Sequence, residues 1–144
     1  MENEIKQLVE FAKNSKSPVN SKFQICIIDE MEAETIEIKT GFKLVGFKRI
    51  IDKFGINHTL KNHGNEDIEK RRGQIAITEE DFELVPQIVK SQNIIYVSKN
   101  RMGNHIILYE AIINATFYYV EEVRKGKKEL CMATMYKRKP TIIK

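Results

Sequence analysis

Apolar positions divide the chain into stretches of helical and of extended period. Ile5, Leu8, Val9 and Ala12 recur at helical spacing and predict a short amphipathic helix over about residues 3–14, after which NSKSPVNS reads as a linker. FQICIIDE and ETIEIKT are rich in β-formers, the second alternating apolar with charged positions. With MEA between them they predict a β-hairpin, either extending a main sheet or forming a separate layer. From Leu44 the period turns helical. Leu44, Val45, Phe47, Ile50, Ile51, Phe54, Ile56 and Leu60 describe one helix with Lys48, Lys53 and Lys61 on its wetter side, bent or split at Gly55. HGNEDIEKRRG has no period and is predicted to be a loop, and QIAI a brief extended piece. Thr78 before Glu79, Glu80 and Asp81 marks a helix N-cap with an acidic first turn. Phe82, Leu84, Val85, Ile88 and Val89 supply that helix's buried face, and Pro86 demands a kink.

Beyond residue 93 the period is that of strands. NIIYVS, HIILYEAII, ATFYYVEEVR and ELCMATMYKR are joined by the turns RMGN, INAT and KGKK. Alternation places Thr134 and Tyr136 on the face of Met132, and Glu122 on the face of Val120 and Arg124. Helices followed by antiparallel strands predict an α+β fold: N-terminal helices packed on a C-terminal antiparallel sheet of about four strands, with an additional N-terminal helix and β-hairpin. Residues 1–44 read as an extension and 45–144 as the principal domain, the two expected to form one structural unit.

Composition narrows the class. A length of 144 residues suits one domain, and an apolar share of 42% with 31% charged residues excludes a disordered chain. No apolar run approaches the roughly 20 residues that span a bilayer, so no membrane is expected as a partner. MENEIKQLVEFAK lacks the order of a signal peptide, which predicts a cytoplasmic site of action. Cys26 and Cys131 sit in apolar runs and read as buried structural thiols. Only His58 and His63 are closely spaced histidines and there is no CxxC pair, so neither a metal nor another cofactor is expected.

The net charge is +4, but it is unevenly placed. Lys43, Lys48, Arg49, Lys53, Lys61, Lys70, Arg71 and Arg72 form one basic segment, and Arg124, Lys125, Lys127, Lys128, Lys137, Arg138 and Lys139 a second. Folded side by side, the two would attract phosphates, with Lys48, Lys53, Arg71, Arg124 and Lys137 as RNA contacts. A solvated lysine-rich surface is the plainer account of either segment alone.

Cleaving RNA without a metal requires a base for the 2′-OH, an acid for the leaving 5′-oxygen and cations for the phosphorane. His58, Lys61 and Asn62 share one helical face, and His63 lies at the terminus before Gly64, where its ring can swing toward the same spot. A helix C-terminus favours a cationic histidine, as a general acid needs, although His, Lys and Asn end ordinary helices for the same reason. Arg71 and Arg72 follow in the next segment, and Thr134 and Tyr136 offer hydroxyls on the last strand. Of Glu121 and Glu122, only one can face a cleft. Tyr96, Tyr109, Tyr118 and Tyr119 are able to stack on bases but are equally ordinary sheet residues, and His105 is incidental.

NHTLKNHG, then RRGQIAITEEDFELVPQIV, an apolar strand and YYVEEVRKGKKELCMATMYKRKP together resemble the barnase, EndoU, colicin and RelE-like (BECR-fold) nuclease domains. The likeness is strongest to phage-associated versions fused to Mu head-morphogenesis proteins and other polymorphic toxins, and it covers about residues 45–140. The resemblance implies a helical part packed on a four-stranded antiparallel sheet, with metal-independent endoribonuclease activity. It places the family's helix-end His and Lys at His58, Lys61 and His63, its loop Arg at Arg72, and its terminal hydroxyl at Thr134 or Tyr136. The expectation is a toxin cutting tRNA or another translation-related RNA to a 2′,3′-cyclic phosphate, with His58 and His63 as base and acid and Lys61 and Arg72 holding phosphate. A cognate immunity or antitoxin protein is expected as partner, with action in a bacterial cytoplasm after delivery within a larger phage or secreted protein. The competing expectation is a non-catalytic RNA- or protein-binding phage module.

Overall fold

A computed structural model describes residues 1–140. Helix α1 (Glu2–Asn14) buries Ile5, Leu8, Val9 and Ala12, the stripe its spacing predicts. Strand β1 (Lys22–Ile27) follows the linker. The expected hairpin does not form, because ETIEIKT lies in helix α2 (Glu30–Thr40). Its ends decide this: the Asp29 side chain accepts from the Glu32 N–H, and Gly41 closes the helix at φ 81°. The alternation was too short to separate the two periods; the helix buries Ile36 (1% exposed) and leaves Ile38 at 79%.

The single helix expected from Leu44 to Leu60 is likewise two elements. Lys48–Asp52 is strand β2, and only Lys53–His63 is helical (α3). In β2 every residue after Lys48 is buried, the mark of an inner strand covered on both faces, whose apolar run carries no period. The Asp52 side chain accepts from the Gly55 N–H and caps α3. Gly55 neither bends nor splits the helix. A Cβ there would lie 2.5 Å from the Met132 carbonyl oxygen, so glycine is what lets α3 lie against the sheet. HGNEDIEKRRG is not a loop throughout: Glu66–Arg71 is a short helix, α4, capped by Asn65. Thr78 and Asp81 form the capping box of a 3₁₀ turn (Glu79–Leu84), and Pro86 sits in the first turn of the succeeding α5 (Val85–Lys90), so the expected kink is a 3₁₀-to-α junction.

Strands β3 (Ile94–Lys99), β4 (His105–Ile113), β5 (Ala115–Arg124) and β6 (Glu129–Arg138) form the expected antiparallel meander. The sheet has six strands in the order β1-β2-β6-β5-β4-β3, because β1 and β2 add to the β6 edge. β2 runs parallel to β6 and pairs only from Lys48↔Glu129 to Ile50↔Cys131. The rest of that β6 edge is left to α3 and to the Ile75 N–H, which donates to the Lys137 carbonyl at 2.9 Å.

Strand alternation separates the two faces. On β5, Phe117, Tyr119, Glu121 and Val123 are buried beneath the helices, whereas Tyr118, Val120, Glu122 and Arg124 are half-buried on the open face. β6 skips a residue: Glu121 pairs with Met132 but Val120 with Thr134, leaving Ala133 as a bulge. Thr134 and Tyr136 therefore face the open side and Met132 the helices, opposite to unbroken alternation. Among the described residues no helix is long and apolar enough to cross a membrane.

Candidate active site

Three elements meet at the C-terminal end of β6. The Ile77 N–H donates to the His63 carbonyl at 2.8 Å and the Gln74 N–H to the Glu69 carbonyl at 2.8 Å, which folds the segment after α4 back beside the end of α3. Glu69, on α4, is fully buried, and its carboxylate divides between two neighbours. One oxygen faces Nδ1 of His63 at 3.2 Å, and the other accepts from Nη1 of Arg72 at 2.8 Å. Nη1 also donates to the Asn62 carbonyl at 2.8 Å, which satisfies one of the free carbonyls at the end of α3. With the carboxylate ionised, Nδ1 of His63 carries the hydrogen, the ring is fixed in orientation, and Nε2 is the nitrogen left to exchange a proton.

The His63 ring lies 5.5 Å from that of Tyr136, which stacks at 4.9 Å on Tyr118, its partner across β5 and β6. Burial, and next the carboxylate of Glu110 opposite it on β4, push the Tyr118 hydroxyl above its ordinary pKa. The guanidinium of Arg138 lies over both phenols, 5.5 Å from the Tyr118 centroid and 5.9 Å from that of Tyr136. The row across the open face is therefore Glu110, Tyr118, Tyr136, His63, Glu69 and Arg72. With Arg138 over its phenols, the row combines a proton-transfer group held by a carboxylate, phenolic hydroxyls and two guanidinium groups, a set suited to a phosphodiester.

Of the sequence-derived candidates, His63, Arg72 and Tyr136 come together. His58 and Lys61 do not join them. Both are exposed, and His63 is about 140° around the helix from His58. Instead, the Asn62 amide donates to the His58 carbonyl at 2.8 Å and lies 3.3 Å from Nδ1 of the His58 ring. Thr134 shares the face of Tyr136, but its hydroxyl is sealed from solvent and has no hydrogen-bond partner.

The expected RNA contacts disperse further. Arg71 is exposed near the site. Lys53, expected on a wet surface, is buried, donates to the Ser17 carbonyl and lies over Phe11. Lys137 pairs with Asp81 at 2.8 Å on the helix side of the sheet. Arg124 is held by Glu122 at 2.6 Å, and Lys48 lies opposite Glu129, where its N–H donates to the Lys128 carbonyl. These last two are at the hairpin end of β6, roughly 30 Å along the strand from Arg138. The two basic segments thus do not fold side by side. They regroup into a pole of Lys43, Lys48, Lys125, Lys127 and Lys128, and another of Arg71, Arg72 and Arg138 near His63.

Sequence alone does not mark Glu69 for chemistry, and it offers Tyr118 and Arg138 only as one of four tyrosines able to stack and as one member of a basic segment. The i,i+3 spacing of Glu69 to Arg72 is nonetheless legible. Tyr118 and Arg138 become neighbours only once the strand register is set.

Neither thiol is poised for chemistry. Burial pushes the Cys131 thiol well above the ordinary cysteine range and raises Cys26 as well, and neither is in a disulfide. The model of a family described as phage-Barnase-EndoU-ColicinE5/D-RelE like nuclease3 matches residues 27–144. It begins inside β1, well before the residue 45 at which the sequence resemblance starts. No curated protein and no solved structure matches the chain.

Proposed function

The chain belongs to the phage-Barnase-EndoU-ColicinE5/D-RelE like nuclease family, and on that premise we propose that it is a metal-independent endoribonuclease, a toxin domain that cuts tRNA or another translation-related RNA. The observation that carries this reading is the buried Glu69 carboxylate on Nδ1 of His63, with Tyr136 against the same ring.

In the proposed reaction Nε2 of His63 takes the 2′-OH proton. The 2′-oxygen attacks the adjacent phosphorus, the P–O5′ bond breaks, and a 2′,3′-cyclic phosphate forms. The departing 5′-oxygen takes the Tyr136 hydroxyl proton; afterwards the His63 imidazolium returns its proton to water and the phenolate recovers one from it, which restores both groups. Glu69 keeps the His63 ring in register and lies against the imidazolium as it forms. The Arg72 side chain is 47% exposed, and beyond the Nη1 held by Glu69 and Asn62 its remaining N–H groups are available to the phosphate. Lys61 and Arg71, both exposed, would meet flanking phosphates.

The test is incubation of total tRNA and of single-stranded RNA with the protein in EDTA. Wild type is expected to leave 2′,3′-cyclic phosphate ends, and His63→Ala to lower the rate on the order of 10²–10⁴-fold. RNA that stays intact while still shifting on a gel would reject the enzyme in favour of a non-catalytic RNA-binding module. Recovery of a stoichiometric second protein when the chain is purified from its native source would identify an immunity partner.

A further inference from the structure

Strand alternation sorts the terminal Lys137-Arg138-Lys139 run. Lys137 points to the helix side, where Asp81 neutralises it and Phe117 lies beneath it. Arg138 emerges on the open face. Among the described residues no carboxylate lies within ion-pair distance of its guanidinium, unlike Arg72, Arg124 and Arg49, each held by a glutamate. Nor is it simply solvated, because it rests over two phenol rings that stack at 4.9 Å. Contact with both rings restricts the side chain while leaving its N–H edge free, the arrangement that best serves a planar, bidentate contact to an anion. The anion would sit beside Tyr136, whose other neighbour is His63.

Resting on the nuclease reading above, we propose that Arg138, Tyr118 and Tyr136 form a nucleotide subsite for unpaired RNA: the guanidinium takes a phosphate next to the one cleaved, and the exposed rim of the two phenols stacks on the adjoining base. A base can lie on such a rim only when it has left its own stack, so this subsite selects single-stranded or loop segments over duplex. Among the described residues neither Lys127 nor Lys128, at the far hairpin, lies over an aromatic ring, so they add charge without this discrimination.

The test uses a short single-stranded 2′-O-methyl RNA, which binds but cannot be cleaved, beside a duplex of the same sequence. Fluorescence anisotropy over a salt series is the readout. Arg138→Ala is expected to weaken single-strand binding about tenfold and to lower the salt slope by about one, with little change for duplex. Arg138→Lys should recover only part of the loss, and Tyr118→Ala should weaken single-strand binding while leaving the salt slope unchanged. Unaltered single-strand affinity in Arg138→Ala would overturn the proposal, as would an equal loss on duplex or an equal loss from Lys127→Ala. A protein that binds through Arg138 but cleaves no RNA would sink the nuclease reading and leave the subsite standing.

Discussion

Two clusters in this molecule are built from the same parts, a buried glutamate, an arginine and a tyrosine, and they do opposite things. Beneath the helices, Glu121 on β5 accepts from Nε of Arg49 at 2.8 Å, from Nη2 at 3.1 Å and from the Tyr109 hydroxyl at 2.8 Å, while Glu32 of α2 pairs with Nη1. Arg49, Tyr109 and Glu121 are all buried, and each charge meets its partners inside the protein. At the end of β6, Glu69 is as deeply buried, yet its partners His63 and Arg72 reach solvent, and Tyr136 lies against the histidine ring. The closed cluster fixes β2 and α2 on the sheet. The open one leaves hydrogen-bonding capacity unused toward the outside, which is where a substrate can take it up.

Removing each glutamate gives the sharpest contrast. Glu121→Ala leaves Arg49 buried with half its pairing gone and should cost about 3–5 kcal/mol, seen as a lowered urea midpoint. Glu69→Ala leaves cations that water can reach. It should cost about 1–2 kcal/mol of stability but lower RNA cleavage by about 100-fold at full folding. If the two variants lose stability alike, and cleavage falls only with the folded fraction, the clusters do not differ in kind.

Tyr109 offers a subtler probe. Burial first, and Glu121 next, push its hydroxyl well above the ordinary tyrosine pKa. Because the folded pKa is raised, the contribution is complete below about pH 10, the unfolded value, and declines as pH rises beyond it. Tyr109→Phe should cost about 1 kcal/mol at neutral pH and flatten the loss of stability in urea melts above pH 10. An unchanged alkaline slope would mean that the closed cluster does not control it.

His58→Ala should produce the smallest effect, within about twofold on cleavage, as for an exposed side chain outside both clusters. A loss as large as that of His63→Ala would draw His58 into the site and remove the distinction between the two faces of α3.

Periodicity made much of the fold legible. The α1 stripe and the four-strand meander follow from repeated patterns and the Thr78 cap from local capping chemistry, and each is present in the structure. Two of the failures share one cause. ETIEIKT and KRIID are short apolar runs whose period is ambiguous, and each was resolved by its surroundings: end caps made the first a helix, and burial on both faces made the second an inner strand. At the site, His63, Arg72 and Tyr136 were legible as residue types near a helix end and a terminal strand. The separation of His58 was not, since it depends on which face of α3 meets the sheet.

By itself, the sequence determined the α+β class, the helix end that carries His63, and the strand that carries Tyr136, because local spacing and capping chemistry specify such features. Only the tertiary structure decided their partners. The bulge at Ala133 turned Tyr136 toward the open face, Gly55 let α3 settle against β6, and α4 brought Glu69 under the imidazole. Each is a long-range register or packing choice, set by what the rest of the chain buries, and no local pattern of residues encodes it.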